Sequence, residues 1–119
     1  MSDPVDKVNL NMRQSETYAH QFNVFTDDAK TIAANVLGYT ATLQMRSGSG
    51  RALLHSATTV NGQLSINDTS VMLEIPYSVI NAWTFKAAQY DLYINSPTNK
   101  PIAIARGSVV VHQSITAIP

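Results

Sequence analysis

An all-β antiparallel sandwich of about seven or eight short strands is what three features of the sequence predict. The first is strict alternation at Tyr39, Ala41, Leu43 and Met45 against Thr40, Thr42, Gln44 and Arg46, the period of a strand buried on one face. The second is a series of short runs separated by tight-turn residues: Ser47-Gly48-Ser49-Gly50, Asn61-Gly62, Asn67-Asp68 and Ser96-Pro97-Thr98-Asn99. The third is composition. Only 13% of the residues are charged while 45% are hydrophobic, and helical bundles normally keep themselves soluble with charged faces. At 119 residues the chain has the size of one domain. Its strands need two packed sheets, because one twisted sheet of that many would leave an apolar face wet.

Taken in order, Val5 to Met12 forms a weak strand, and Met1 to Arg13 serves as an N-terminal arm or edge strand. Glu16 to Phe25 is extended, with Tyr18, Phe22 and Val24 in phase, and Asp27-Asp28-Ala29-Lys30 supplies a polar loop. Ala33 to Val36 is connection. The alternating strand from Tyr39 to Arg46 then turns at Ser47-Gly50 and returns over Ala52 to Ala57, a first hairpin. Gln63 to Ile66 and Ser70 to Ile75 make a second, with Val71, Leu73 and Ile75 on one face.

Pro76 interrupts the alternation, and the spacing of Val79, Ile80 and Trp83 predicts one short helical turn within residues 77–83. Gln89 to Asn95 resumes with Tyr90, Leu92 and Ile94 on one side and Asp91 and Tyr93 on the other. Its hairpin partner runs from Ile102 to Val111, where the apolar phase shifts near Arg106-Gly107 and marks Gly107 as a candidate bulge. That pairing also sets Asp91 and Arg106 on neighbouring strands as a candidate cross-strand ion pair.

Chemistry finds little footing. Eight Lys plus Arg balance eight Asp plus Glu, so net charge gives no pull toward nucleic acid or anionic lipid. There is no Cys, which removes disulfides, thiolate metal sites and cysteine nucleophiles. His20, His55 and His112 are far apart in sequence and lack a close-spaced ligand pair. No G-x-S-x-G elbow accompanies them, and Asp27-Asp28 reads as a solvated turn rather than an acid–base pair. Gly48-Ser49-Gly50-Arg51 lacks the Lys-Ser/Thr of a phosphate loop, and Asn67-Asp68-Thr69 matches a glycosylation triplet but reads as a turn. No apolar stretch approaches the length of a membrane span and no export signal is recognisable, so a soluble protein made in the cytoplasm is expected. The sequence thus predicts no enzyme, cofactor or metal. The aromatic residues Trp83, Tyr77 and Tyr93, with Tyr90, are the candidate binding residues, since aromatic faces stack on sugar rings.

The segment Val36-Leu37-Gly38-Tyr39-Thr40-Ala41-Thr42-Leu43-Gln44-Met45-Arg46 resembles the L-T-G-Y-T-A-x-hydrophobic-Q-hydrophobic-R strand of a family of small all-β proteins of tailed bacteriophages and prophages. That family is akin to the N-terminal domain of baseplate upper proteins. Gln14-Ser15-Glu16-Thr17-Tyr18 resembles its Q-G-D-T-aromatic opening. Tyr90-Asp91-Leu92 and Gly107-Ser108-Val109-Val110-Val111 are similar to its Y-D-L and G-x-V-x-V strands. The likeness covers roughly residues 14–116, with Ser15 where the family has Gly and Val36 in place of the Thr or Asp-Leu-Thr context before the Gly-Tyr.

The resemblance implies an immunoglobulin-like sandwich over residues 14–116 with a short tail after it. It implies a virion structural component, of the tail or baseplate, that contacts other phage structural proteins. A capsid-associated accessory protein and a glycan- or receptor-binding module are the alternatives. Low charge and short strands with free edges favour a homo-oligomer or multicopy subunit, with no nucleic-acid or membrane partner. The arm Met1 to Arg13 and the tail Ser114 to Pro119 are the segments expected to add across a neighbour's sheet edge.

Overall fold

The structure is a computed structural model that describes residues 6–25, 34–47 and 52–112. Nine strand segments and one helical turn follow in order: β1 Asp6–Lys7, β2 Leu10–Arg13, β3 Tyr18–Asn23, β4 Thr40–Arg46, β5 Leu53–Thr58, β6 Leu64–Ile66, β7 Ser70–Ile75, α1 Tyr77–Asn81, β8 Ala87–Asn95 and β9 Pro101–His112. Both sequence-predicted hairpins, the β8–β9 hairpin and the helical turn lie where the alternation and turn residues placed them. The turn at Ser47-Gly50, the loop Asp27-Lys30 and the tail Ser114-Pro119 fall wholly or largely outside the described residues.

The strands divide into two sheets, one ordered β1-β9-β8-β4-β5 with β2 also on β9, the other ordered β3-β7-β6. This is an immunoglobulin-like sandwich with an extra edge strand on the larger sheet, as in variable-type domains. Alternation does the sorting: β8 reads out-in along its length, burying Ala88, Tyr90, Leu92 and Ile94, and β4 buries Ala41, Leu43 and Met45. Val71, Leu73 and Ile75 of β7 face them from the other sheet. Each fully buried Leu or Ile contributes about 1.5–3 kcal/mol relative to exposure.

Where antibody domains tie their sheets with a disulfide, this chain places Phe22 of β3 against Tyr90 of β8, ring centroids 6.4 Å apart and tilted by 55°. The cross-sheet tie is aromatic packing instead of a covalent bond.

The N-terminal strand departs from antiparallel pairing. β1 and β2 both run parallel to β9 in one continuous register, Lys7 beside Arg106 and Leu10 beside Val109. Residues Asp6 to Arg13 therefore complete the chain's own sheet, which corrects the expectation that this part of the arm reaches a neighbour. Between β1 and β2 the strand passes over Gly107, whose missing side chain leaves room: a Cβ there would lie 2.1 Å from the Val8 carbonyl oxygen. The Tyr90 hydroxyl, directly across from Gly107 in the β8–β9 ladder, donates to that same oxygen at 2.6 Å.

Gly107 is accordingly a close-approach glycine and not the bulge. The register shifts opposite Leu92/Tyr93, where Leu92 faces Ala105 but Tyr93 faces Ala103, so Ile104 is the extra residue. The phase change read from the sequence is real, and its origin lies three residues earlier. Burial of both Ile104 and Ala105 in succession shows why: the bulge turns two neighbouring side chains to the core.

Residues Gln14 to Thr17 join β2 to β3 and are fastened to α1. The Gln14 side-chain amide donates to the Trp83 carbonyl at 3.2 Å, Ser15 N–H donates to Asn81 Oδ1 at 2.6 Å, and Tyr77 N–H donates to Thr17 Oγ1 at 3.2 Å. Ser15 has φ 72°, in the left-handed region. An L-residue there carries strain on the order of 1–2 kcal/mol that glycine avoids. Ser15→Gly is expected to raise stability by about 0.5–1 kcal/mol, read as an upward shift of the urea midpoint with an unchanged m-value.

The edge of β5 is closed locally. Asn61, in the turn after it, accepts from Thr58 N–H and donates to the Ser56 carbonyl, both at 3.0 Å. A side-chain amide thus occupies strand-edge groups that would otherwise be open to pairing.

Candidate functional site

The outward-facing residues of the larger sheet meet in a shallow groove of about 410 Å³. Register assembles it from residues that are remote in sequence. Gln44 of β4 lies beside Asp91 of β8, Asp91 beside Arg106 of β9, and Arg106 beside Lys7 of β1. One residue pair further along, Arg46 lies beside Gln89, and Gln89 beside Ser108. These are solvent-side positions of an alternating pattern whose other phase fills the core.

Two side chains at the groove are held by hydrogen bonds. Asn9 Oδ1 accepts from Ser108 N–H at 3.2 Å and from Ser108 Oγ at 3.1 Å. Gln44 Oε1 accepts from Arg46 Nη2 at 2.9 Å. A backbone N–H and a guanidinium can only donate, so in each amide the oxygen must face the partner and the –NH2 is turned away from it. Asp91 and Arg106 face each other across the β8–β9 ladder as predicted, yet no ion pair closes between them. The groove collects three cationic side chains, Lys7, Arg46 and Arg106, and one carboxylate, Asp91, on a chain whose total charge is zero.

The sequence-predicted aromatic residues do not assemble into one platform. Trp83 is 9% exposed and sits in the core cluster, with its ring 4.9 Å from His55 and 4.9 Å from Phe85. Tyr77, on α1, and Tyr93, on the outer side of β8, are 40% and 44% exposed. No ring contact joins any two of Trp83, Tyr77 and Tyr93. Tyr93 lies toward the β8 end opposite Trp83, so the three cannot share one small ligand.

His55 and His20 serve packing, and His112 is exposed. His55 Nε2 donates to Gln63 Oε1 at 2.6 Å. His20 lies between Tyr18 and Phe22, at centroid distances of 6.5 Å and 4.6 Å. Among the described residues no three His, Asp or Glu side chains gather as metal ligands, and no helix is long and apolar enough to cross a membrane.

Burial lowers the His20 pKa from its ordinary value and raises that of Tyr18. The unfolded chain therefore takes up the His20 proton first as the pH falls. Stability contributed by neutral His20 is present above its unfolded pKa of about 6.5 and is lost as the pH drops toward the lower folded value. The urea midpoint of the wild type is expected to fall faster than that of His20→Phe below about pH 6.5. Parallel curves would show that His20 titrates alike in both states.

The polar groove was not legible as a site. Each contributor looks like an ordinary outward strand residue, and only the register of four strands brings them together.

No protein-family model matches the chain, and no curated protein matches it. Among solved structures it is similar to extracellular domains 3–5 of Drosophila OTK, at 15% identity and a TM-score of 0.39, over 99% of this chain and 36% of that one. The chain thus spans about a third of that structure's length.

Proposed function

We propose that this chain is a non-enzymatic structural component of a bacteriophage virion, in the tail or baseplate, present in several copies and acting through contacts with other phage structural proteins. The observation that carries the reading is conformational. The motifs that resemble the phage family have glycine at three positions, occupied here by Ser15, Gly38 and Gly107; the first two have left-handed backbone, φ 72° and 82°, and the third lies under the Val8 carbonyl, where a Cβ would clash. Such a backbone is the physical reason a sequence keeps glycine at a turn, so the motif likeness extends to the geometry that the motif residues serve.

Edge strands favour a role in assembly. Among the described residues, the outer edge of β3, Tyr18–Asn23, pairs with no strand, and β6 has β7 as its single strand partner. Such edges are sites where a neighbouring chain can add a strand. The groove's hydroxyls hold the fold together, Ser108 donating to Asn9 Oδ1 and Tyr90 to the Val8 carbonyl, which fits a contact role better than a reaction.

Peptide mass spectrometry of purified virions tests the proposal. Detection at a fixed ratio to the tail-tube and major capsid proteins, in a multiple of three or six, is the expected result. Absence from the particle would overturn it.

A further inference from the structure

We infer that the groove on the outer face of the larger sheet binds a carboxylated saccharide of one or two rings, a uronic-acid type of ligand. This does not depend on the virion reading, because it rests on the groove alone.

The first argument is charge. Lys7, Arg46 and Arg106 surround a single carboxylate, Asp91, on an otherwise balanced molecule. No carboxylate among the described residues forms an ion pair with these three cations. An acidic ligand meets a local excess of two positive charges, and Arg offers a planar fork suited to carboxylate oxygens.

Donor geometry supplies the second argument. The oxygens of Asn9 and Gln44 are already engaged by Ser108 and Arg46, which presents their –NH2 groups as pre-oriented donors. With the three cations, the groove is rich in donors and has Asp91 as a strong acceptor. A sugar acid suits that balance: its carboxylate, ring oxygen and hydroxyl oxygens accept, and a hydroxyl proton remains for Asp91. A neutral sugar leaves the cations unmatched.

The third argument separates a saccharide from an acidic peptide. Extended peptides gain affinity by joining a free strand edge. Most of the groove is built on β4, β8 and β9, interior strands whose backbone is committed to ladders on both sides, and edge strand β1 adds Lys7 at its rim. Over those three strands only side chains are offered, and no aliphatic side chain is among those that line the groove to receive the apolar residues of a peptide. A volume of about 410 Å³ lies within the range of small-ligand sites.

The test uses the full chain with digalacturonic acid as probe, followed by 15N–1H NMR and calorimetry. Saturable shifts centred on residues 44, 46, 89, 91, 106 and 108 are expected. The reduced, neutral digalactose analogue should bind at least tenfold more weakly. Arg106→Gln and Arg46→Gln should each weaken digalacturonate binding at least tenfold without changing the melting temperature, and binding should weaken as salt rises. Lack of saturable shifts, shifts centred elsewhere, or equal binding of the neutral analogue overturns the inference. Tighter binding of a hexaglutamate peptide at the same residues also overturns it, in favour of a peptide site. Shift mapping on the wild type decides the matter even where a variant fails to fold.

Discussion

Gly107→Ala is expected to destabilise the protein by about 3 kcal/mol and to release the N-terminal strand from β9. The added Cβ would stand 2.1 Å from the Val8 oxygen, 2.8 Å from the Val8 carbonyl carbon and 3.1 Å from Asn9 Oδ1. Two of these three atoms are backbone, so no rotamer change relieves the clash. Either β9 deforms within a ladder that it shares with β8, or the segment around Val8 lifts away. Lifting is the easier path, and it breaks Val8 N–H to Arg106 O at 2.9 Å, Tyr90 Oη to Val8 O at 2.6 Å, and the Asn9–Ser108 bonds.

Tyr90→Phe provides the internal control. Alone it leaves a partly buried carbonyl without its short hydroxyl donor, an expected loss of about 1–2 kcal/mol. Combined with Gly107→Ala it should add little, because the strand that Tyr90 holds has already left, and non-additivity of this kind is the signature of a shared element. Urea unfolding gives the energies. Hydrogen exchange at residues 7–13 shows whether protection is lost there first. Additive losses with retained protection would show that the clash is absorbed inside β9.

How much of this architecture the sequence discloses depends on whether a feature is local. Alternation at Thr40–Arg46 and Ala87–Asn95 identifies buried and exposed faces directly, since one strand carries the whole signal. Turn residues at Asn67-Asp68 and Ser96-Pro97-Thr98-Asn99 join strands that pair, whereas Asn61-Gly62 carries the chain from one sheet to the other; Gly62 and Asn99 take positive φ. Parallel pairing of β1 and β2 with β9 joins residues about a hundred positions apart and leaves no mark in either segment. The phase shift in β9 is visible as a disturbed alternation, but glycine is the more conspicuous residue and draws the bulge to the wrong place. The groove is harder still, because Lys7, Gln44, Asp91 and Arg106 become neighbours only after four strands are set in register.

Trp83→Ala is expected to cost about 3–5 kcal/mol, the range for removing a buried large aromatic, whereas Tyr93→Ala should change stability by no more than about 0.5 kcal/mol. The difference follows from surroundings, not from residue type. Trp83 follows directly on the end of α1, stacks on Phe85 at an interplanar angle of 28° and packs against the His55 ring. Its own carbonyl receives the Gln14 side chain, so truncation opens a cavity where the β2–β3 connection is anchored. Tyr93 projects from the outer side of β8, beside Thr42 and Ala103 in register, and its loss leaves no buried void. Far-UV circular dichroism during urea unfolding measures both, since the chain's single Trp is lost in the first variant. Trp83→Phe should recover part of the loss by refilling the space, which separates packing from any role of the indole N–H. A Trp83→Ala protein with wild-type stability would mean that this ring is not structural, and would return it to consideration as a binding surface.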